Sequence, residues 1–102
     1  MDYLVSYDLN KPEQDYQKLI NAICRYENSC RVLKSQWLIR SDKSAKQIFN
    51  ELVAFIDSDD ELFICEVTEN HCYKLNPETH TKLQGVQSRM AIKILLGALP
   101  RQ

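Results

Sequence analysis

Four groups of side chains in this sequence carry chemistry that could make a site, and the first is a lone carboxylate. Asp8 ends a short alternating run, Tyr3-Leu4-Val5-Ser6-Tyr7-Asp8, and Asn10 and Pro12 follow it and stop a strand. A carboxylate at the rim of a sheet, beside a helix entry, is placed to hold a hard cation or to cap a turn through backbone N–H groups. The residues alone leave both readings open. The second group is the acidic run Asp57-Ser58-Asp59-Asp60. It lacks the ligand spacing, central glycine and closing glutamate of a calcium loop, so it reads as a solvated helix exit. The third is Cys65, His71, Cys72 and His80, a zinc set in type but without CxxC or HxxxH spacing. The last is a scatter of cations, Arg31, Lys34, Arg40, Lys43 and Lys46, which read equally as solvated charge or as phosphate contacts.

The scaffold for these groups is small. The chain has 102 residues, 44% hydrophobic and 26% charged, the composition of one ordinary globular domain. Its longest apolar run near the end, Ile94-Leu95-Leu96, is too short to span a bilayer, and no signal peptide is evident. A cytoplasmic protein with no membrane partner is therefore expected. Cys24 and Cys65 fall at apolar helix and strand positions, so the four cysteines read as reduced thiols. A net charge of −1 argues against strong non-specific binding to nucleic acid. The charge is uneven, however. No acid follows Glu78, while Lys82, Arg89, Lys93 and Arg101 make the tail basic. That tail reads as a docking element or as the solvated face of a terminal helix.

Periodicity supplies the elements. The first strand is followed by a helix over about 12–26, with Tyr16, Leu19, Ile20 and Ile23 on one side and a capping pattern from Asn10 to Glu13. Glu27-Asn28-Ser29 reads as a turn. Residues 30–40 read as two antiparallel strands joined tightly at Lys34-Ser35-Gln36. Ser44 with Gln47 makes a capping box for a second helix whose stripe is Ala45, Ile48, Phe49, Leu52, Val53 and Ile56. Residues 61–67 form a further strand. Beyond it, 68–76 is irregular or holds a short strand at Cys72-Tyr73, 77–83 reads as a helical turn, and 87–96 as a helix.

The order β-α-β-β-α-β predicts an α+β, ferredoxin-like sandwich, with four antiparallel strands and both helices on one face. It occupies residues 1–67, and 68–102 form a C-terminal extension packing on the core or on a partner chain. The odd-numbered strand residues (Tyr3, Val5, Tyr7; Trp37, Ile39; Phe63, Cys65, Val67) are assigned to the helix-covered face. Leu4, Leu38, Leu62 and Ile64 then make an open face greasy enough to need a cover, either a second chain or the helix around Met90 to Leu95.

Several stretches resemble a known family. Val5-Ser6-Tyr7-Asp8-Leu9, and Arg31-Val32 ahead of Ser35, resemble the CRISPR-associated Cas-two proteins. Tyr3-Leu4-Val5-Ser6-Tyr7-Asp8-Leu9-Asn10, Ser35-Gln36-Trp37-Leu38-Ile39, Asp42-Lys43-Ser44-Ala45 and Leu62-Phe63-Ile64 are closer in style to a sister group called SinR-like. The likeness covers roughly residues 1–67. It implies a small ferredoxin-like homodimer, in some members a metal-dependent nuclease. Asp8 then matches the strand-end Asp that ligates the metal, with Ser6 and Tyr7 as its neighbours. The nuclease members carry an Arg-rich helix start after that Asp, where this chain has Lys11-Pro12-Glu13-Gln14-Asp15. Nucleic-acid contacts would instead fall to Ser6, Arg31, Lys34 and Arg40.

Two functions follow as expectations. One is an endonuclease cutting RNA or DNA, in which two Asp8 carboxylates of a homodimer share Mg²⁺. The other is a non-catalytic dimeric scaffold for nucleic-acid processing, or a toxin–antitoxin-like interaction module.

Overall fold

The computed structural model describes residues 1–11 and 16–86. Four strands and two helices alternate as expected: β1 (Asp2–Asp8), α1 (Gln17–Cys24), β2 (Glu27–Leu33), β3 (Gln36–Arg40), α2 (Ala45–Leu52) and β4 (Glu61–Val67). A short 3₁₀ turn, Val53–Phe55, extends α2. The strands form one sheet in the order β2-β3-β1-β4, and each neighbouring pair is antiparallel. This is the ferredoxin-like arrangement. A helix over 77–86, called α3 below, follows an irregular stretch.

The core lies between the sheet and the first two helices. Tyr3, Val5 and Tyr7 of β1 and Trp37 and Ile39 of β3 pack with Leu19, Ala22 and Ile23 of α1 and Ile48 and Leu52 of α2. Both helices therefore cover the same face, as the odd-numbered residues of β1 and β3 require. Two buried phenols are satisfied rather than stranded. Tyr3 Oη donates to the Lys43 carbonyl at 2.7 Å, and Tyr7 Oη accepts from Trp37 Nε1 at 3.2 Å. The first of these ties the central strand to the entry of α2. There the Ser44–Gln47 capping box is complete in both directions.

Several expectations for the first 67 residues need correction. In β4 the faces are reversed: Leu62 and Ile64 join the core, while Phe63 is 65% exposed. The ladder with β1 decides this, because Ile64 stands opposite buried Val5 and Phe63 opposite Ser6. Glu27-Asn28-Ser29 is not a turn but the bulged start of β2, with Asn28 at φ 56° and the register slipping between Glu27 and Cys30. The described part of α1 runs only over Gln17–Cys24, and no side chain caps it; Asn10 bonds elsewhere, and Glu13 lies outside the described residues. Finally, Cys24 is exposed rather than buried in the helix stripe.

α3 covers half of the opposite sheet face. Leu83 and Val86 pack on Cys30, with Val32, Leu38 and Leu75 around them. Its start is well signalled, since the Asn76 Oδ1 accepts from Thr79 N at 2.8 Å and Pro77 opens the first turn. A helix replaces the single turn expected at 77–83. The expected helix over 87–96 lies outside the described residues. Cover for Leu38 thus comes from within the chain, while on the β1–β4 half Phe63 is exposed and Leu4, Cys65 and Val67 are half-buried.

Two substitutions test this packing. Ser44→Ala removes a capping-box hydroxyl and costs about 1 kcal/mol. Leu83→Ala empties a site that is 1% exposed and costs about 2–5 kcal/mol. Urea denaturation followed at Trp37 reads both. An unchanged midpoint for Leu83→Ala shows that α3 is no part of the cooperative unit.

Candidate metal and nucleic-acid site

Asp8 is the exposed last residue of β1, on the face away from α1 and α2. Alternation puts it there, since Tyr7 before it is buried. Its carboxylate has no hydrogen-bond or ion-pair partner among the described residues, so the turn-capping role is not the one it plays there. Directly across the ladder stands Glu61 of β4. Opposed residues in an antiparallel pair sit with Cα atoms roughly 4.5–5.5 Å apart, and like charges so placed repel. Glu61 is a residue that sequence reasoning missed. It could be found only from the register, because 52 positions separate the two.

The expected nucleic-acid residues divide between the two ends of the sheet. Ser6 shares the rim with Asp8, and its Oγ accepts from Gln36 Nε2 at 3.3 Å. Lys34 stands in the β2–β3 turn at that same end, where Tyr7 N donates to the Ser35 carbonyl at 3.0 Å. Arg31 folds back on this turn. Its Nε and one terminal nitrogen both donate to the Lys34 carbonyl, at 3.1 and 2.5 Å, and its guanidinium lies 5.7 Å from the centre of the Trp37 ring. Arg40 is at the far end. It lies opposite Asp2, with 3.6 Å between its guanidinium and the Asp2 carboxylate. The rise of a strand puts it about 20 Å from Asp8. The fold thus brings Ser6 and Lys34 to the Asp8 end, sets Arg31 beside Trp37 on the helix-covered face and leaves Arg40 at the far end.

The run Asp57-Ser58-Asp59-Asp60 is more than a solvated exit. Asp60 Oδ1 accepts from Asn10 N at 2.9 Å and from Tyr16 Oη at 3.1 Å, and Asp60 Oδ2 accepts from Asp57 N at 2.8 Å. The Asn10 amide donates to the Asp59 carbonyl, and Lys11 pairs with Asp57 at 3.2 Å. This loop therefore clamps the segment that leaves Asp8. Burial pushes the Asp60 carboxyl up, but the hydrogen bonds from Asp57, Asn10 and Tyr16, with the Lys11 charge, outweigh it and hold the group below its ordinary 3.8. Asp57, Asp59 and Asp60 are also the one group of potential metal ligands gathered among the described residues. Cys65, His71, Cys72 and His80 do not converge. Instead His71 and Tyr73 stack with ring centres 6.3 Å apart, and His80 lies 5.7 Å from Tyr73.

No protein-family model matches the chain, and no curated protein matches it. No helix among the described residues is long and apolar enough to cross a membrane.

The clamp has a pH signature. A depressed carboxyl stabilises the fold above its unfolded pKa, and the contribution is lost as pH falls through the folded value. Asp60→Asn should therefore lower the melting temperature at pH 7. The gap to the unsubstituted protein should close as the pH falls below the ordinary carboxyl range. A gap of constant size from pH 7 to pH 2 removes the ionised Asp60 from the account.

Proposed function

We propose that the chain acts as a homodimeric, metal-dependent phosphodiesterase on RNA or DNA, in the manner of the Cas-two-like and SinR-like proteins that its first 67 residues resemble. One observation carries the reading: Asp8 is exposed and unbonded among the described residues, and lies opposite Glu61. A carboxylate pair held at a rim without a counter-charge favours a hard divalent cation. In a two-fold dimer each protomer contributes Asp8, with Glu61 beside it to ligate the ion or orient its waters. Mg²⁺ there would neutralise charge on the scissile phosphate and acidify a bound water. Asp8 and Glu61 would position that water, and Ser6 and Lys34 on the same rim would bear on the neighbouring phosphates. Arg40, paired at the far end, has no part in the cut.

A second reading, a non-catalytic dimeric module, draws support from a different feature. The β1–β4 half of the open face carries exposed Phe63 beside half-buried Leu4 and Cys65, an apolar strip of the kind that binds protein. Arg31 is meanwhile folded onto its own turn, which lowers the cation supply for a phosphate backbone.

Calorimetric titration with Mg²⁺ and Mn²⁺, beside cleavage of labelled RNA and DNA, separates the two. The nuclease reading expects metal heat and metal-dependent cleavage, both abolished in Asp8→Asn, with the melting temperature unchanged or raised because a like-charge pair is relieved. Metal heat absent in the unsubstituted protein would falsify it and leave the module. Light scattering should give about twice 11.9 kDa. A clean protomer mass removes the shared-ion site.

A further inference from the structure

β2 is an outer strand of the sheet, hydrogen-bonded to β3 on one side only among the described strands. Along its other side runs a groove of about 1220 Å³, walled opposite by α3 and the residues just before it. Six consecutive residues of the strand and its turn, 29–34, line this groove. A strand that presented only a face would offer alternate residues. A continuous run means that the groove follows the backbone edge, where N–H and C=O groups point outward. Opposite, Gly85 keeps the wall low: a Cβ there would meet nothing within 4 Å.

The lining has a definite chemistry. Cys30 and Val86 are buried and Val32 and Leu75 half-buried, so the floor is apolar. Lys34, Lys74 and Lys82 stand around it, Lys82 paired with the single acid Glu78 at 3.3 Å, while Arg31 is folded onto the Lys34 carbonyl. Trp37 is the aromatic residue in the lining, and at 8% exposed it offers no platform on which bases could stack. An open strand edge, an apolar floor and a cationic rim together select an extended chain with alternating apolar and acidic side chains.

We propose that the β2 edge accepts an acidic peptide segment of a partner protein as an added antiparallel or parallel strand, lying along the outer side of β2 and flanked by α3. Residues 29–33 of β2 line the groove and span about 17 Å, enough to pair with about five residues of a segment. Main-chain hydrogen bonds to β2 provide the register, and the lysines read the acidic side chains. This site shares Lys34 with the Asp8 rim but does not depend on the nuclease reading.

Trp37 is the single tryptophan and lines the groove, so its emission reports occupancy. The probe is a blocked heptapeptide of alternating valine and glutamate, titrated into the full chain. Saturable binding is expected, weakened about tenfold or more when lysine replaces glutamate in the peptide, and likewise in the protein carrying Lys34→Glu with Lys74→Glu. N-methylation of alternate peptide amides, which leaves the protein untouched, should abolish binding. Equal binding of the N-methylated peptide overturns strand addition. So does no saturable signal at about millimolar peptide, a concentration that detects even weak complexes. A thymidine oligonucleotide that binds more tightly and displaces the peptide overturns the assignment in favour of nucleic acid. Displacement by raised protein concentration, with a growing scattering mass, assigns the groove to a second copy. Asp8→Asn should bind the heptapeptide unchanged, which keeps this result distinct from the metal titration.

Discussion

β1 is hydrogen-bonded on both sides, and that constraint governs the whole molecule. As an interior strand its residues Tyr3, Val5 and Tyr7 are buried to 1%, 0% and 7% exposure, which leaves no freedom of face. The side-chain period of a strand is two, so a slip of one residue would drive Ser6 and Asp8 into the core. The exposure of Asp8 is thus a consequence of the burial of Tyr7. The faces of β3 and β4 follow through their ladders with β1, and the helices settle over whichever face the tyrosines occupy. The two phenols also orient their neighbours, since Tyr3 holds the Lys43 carbonyl and Tyr7 receives the Trp37 indole.

This explains which parts of the fold were legible in the sequence. β1 and β3 alternate strongly enough to declare their faces, and Ser44 with Gln47 declares where α2 starts; of the expected α2 stripe Ile48 and Leu52 are buried, but Val53 is exposed. In β4 the run Leu62-Phe63-Ile64-Cys65 is apolar on both sides, so alternation cannot decide. Only pairing with Val5 does, and pairing is not written locally. The start of β2 was hidden for a related reason. Asn28 and Ser29 are turn residues by type, and here they serve a bulge in which Asn28 takes a positive φ. α3 was understated although its signals were present, an Asn before a Pro and Glu78 four residues ahead of Lys82.

The candidate site shows the same boundary between local and long-range information. Asp8 stood out because it ends a strand. Glu61 and the Asp60 clamp did not, because their partners lie about fifty positions away along the chain and only the fold brings them together. The clamp is an instance of a general economy of charge. Three acids in four residues repel one another, and the sequence suggested only solvation for them. Asn10, Lys11 and Tyr16 instead supply donors and a cation to two of the three, Asp57 and Asp60, so the repulsion is offset by contacts that also fix the exit from β1. A loop that seemed to end a helix thereby restrains the strand end that carries the proposed ligand.

The two outer strands of the sheet differ in charge, and the difference limits what can join them. β4 begins with Glu61 and carries Glu66, next to the acidic loop, whereas the β2 side gathers Arg31, Lys34, Lys74 and Lys82. Bare strand edges tend to pair with their own kind, and charges and bulges are the usual protection. Two β2 edges brought together would oppose cations, and two β4 edges would oppose carboxylates. The register slips in β2 further spoil a flat self-pairing. What the cations at β2 do not repel is an acidic strand. Charge that guards an edge against its own copy therefore becomes a selector for the opposite charge, and the apolar floor beneath Lys74 and Lys82 gives the selected strand something to bury.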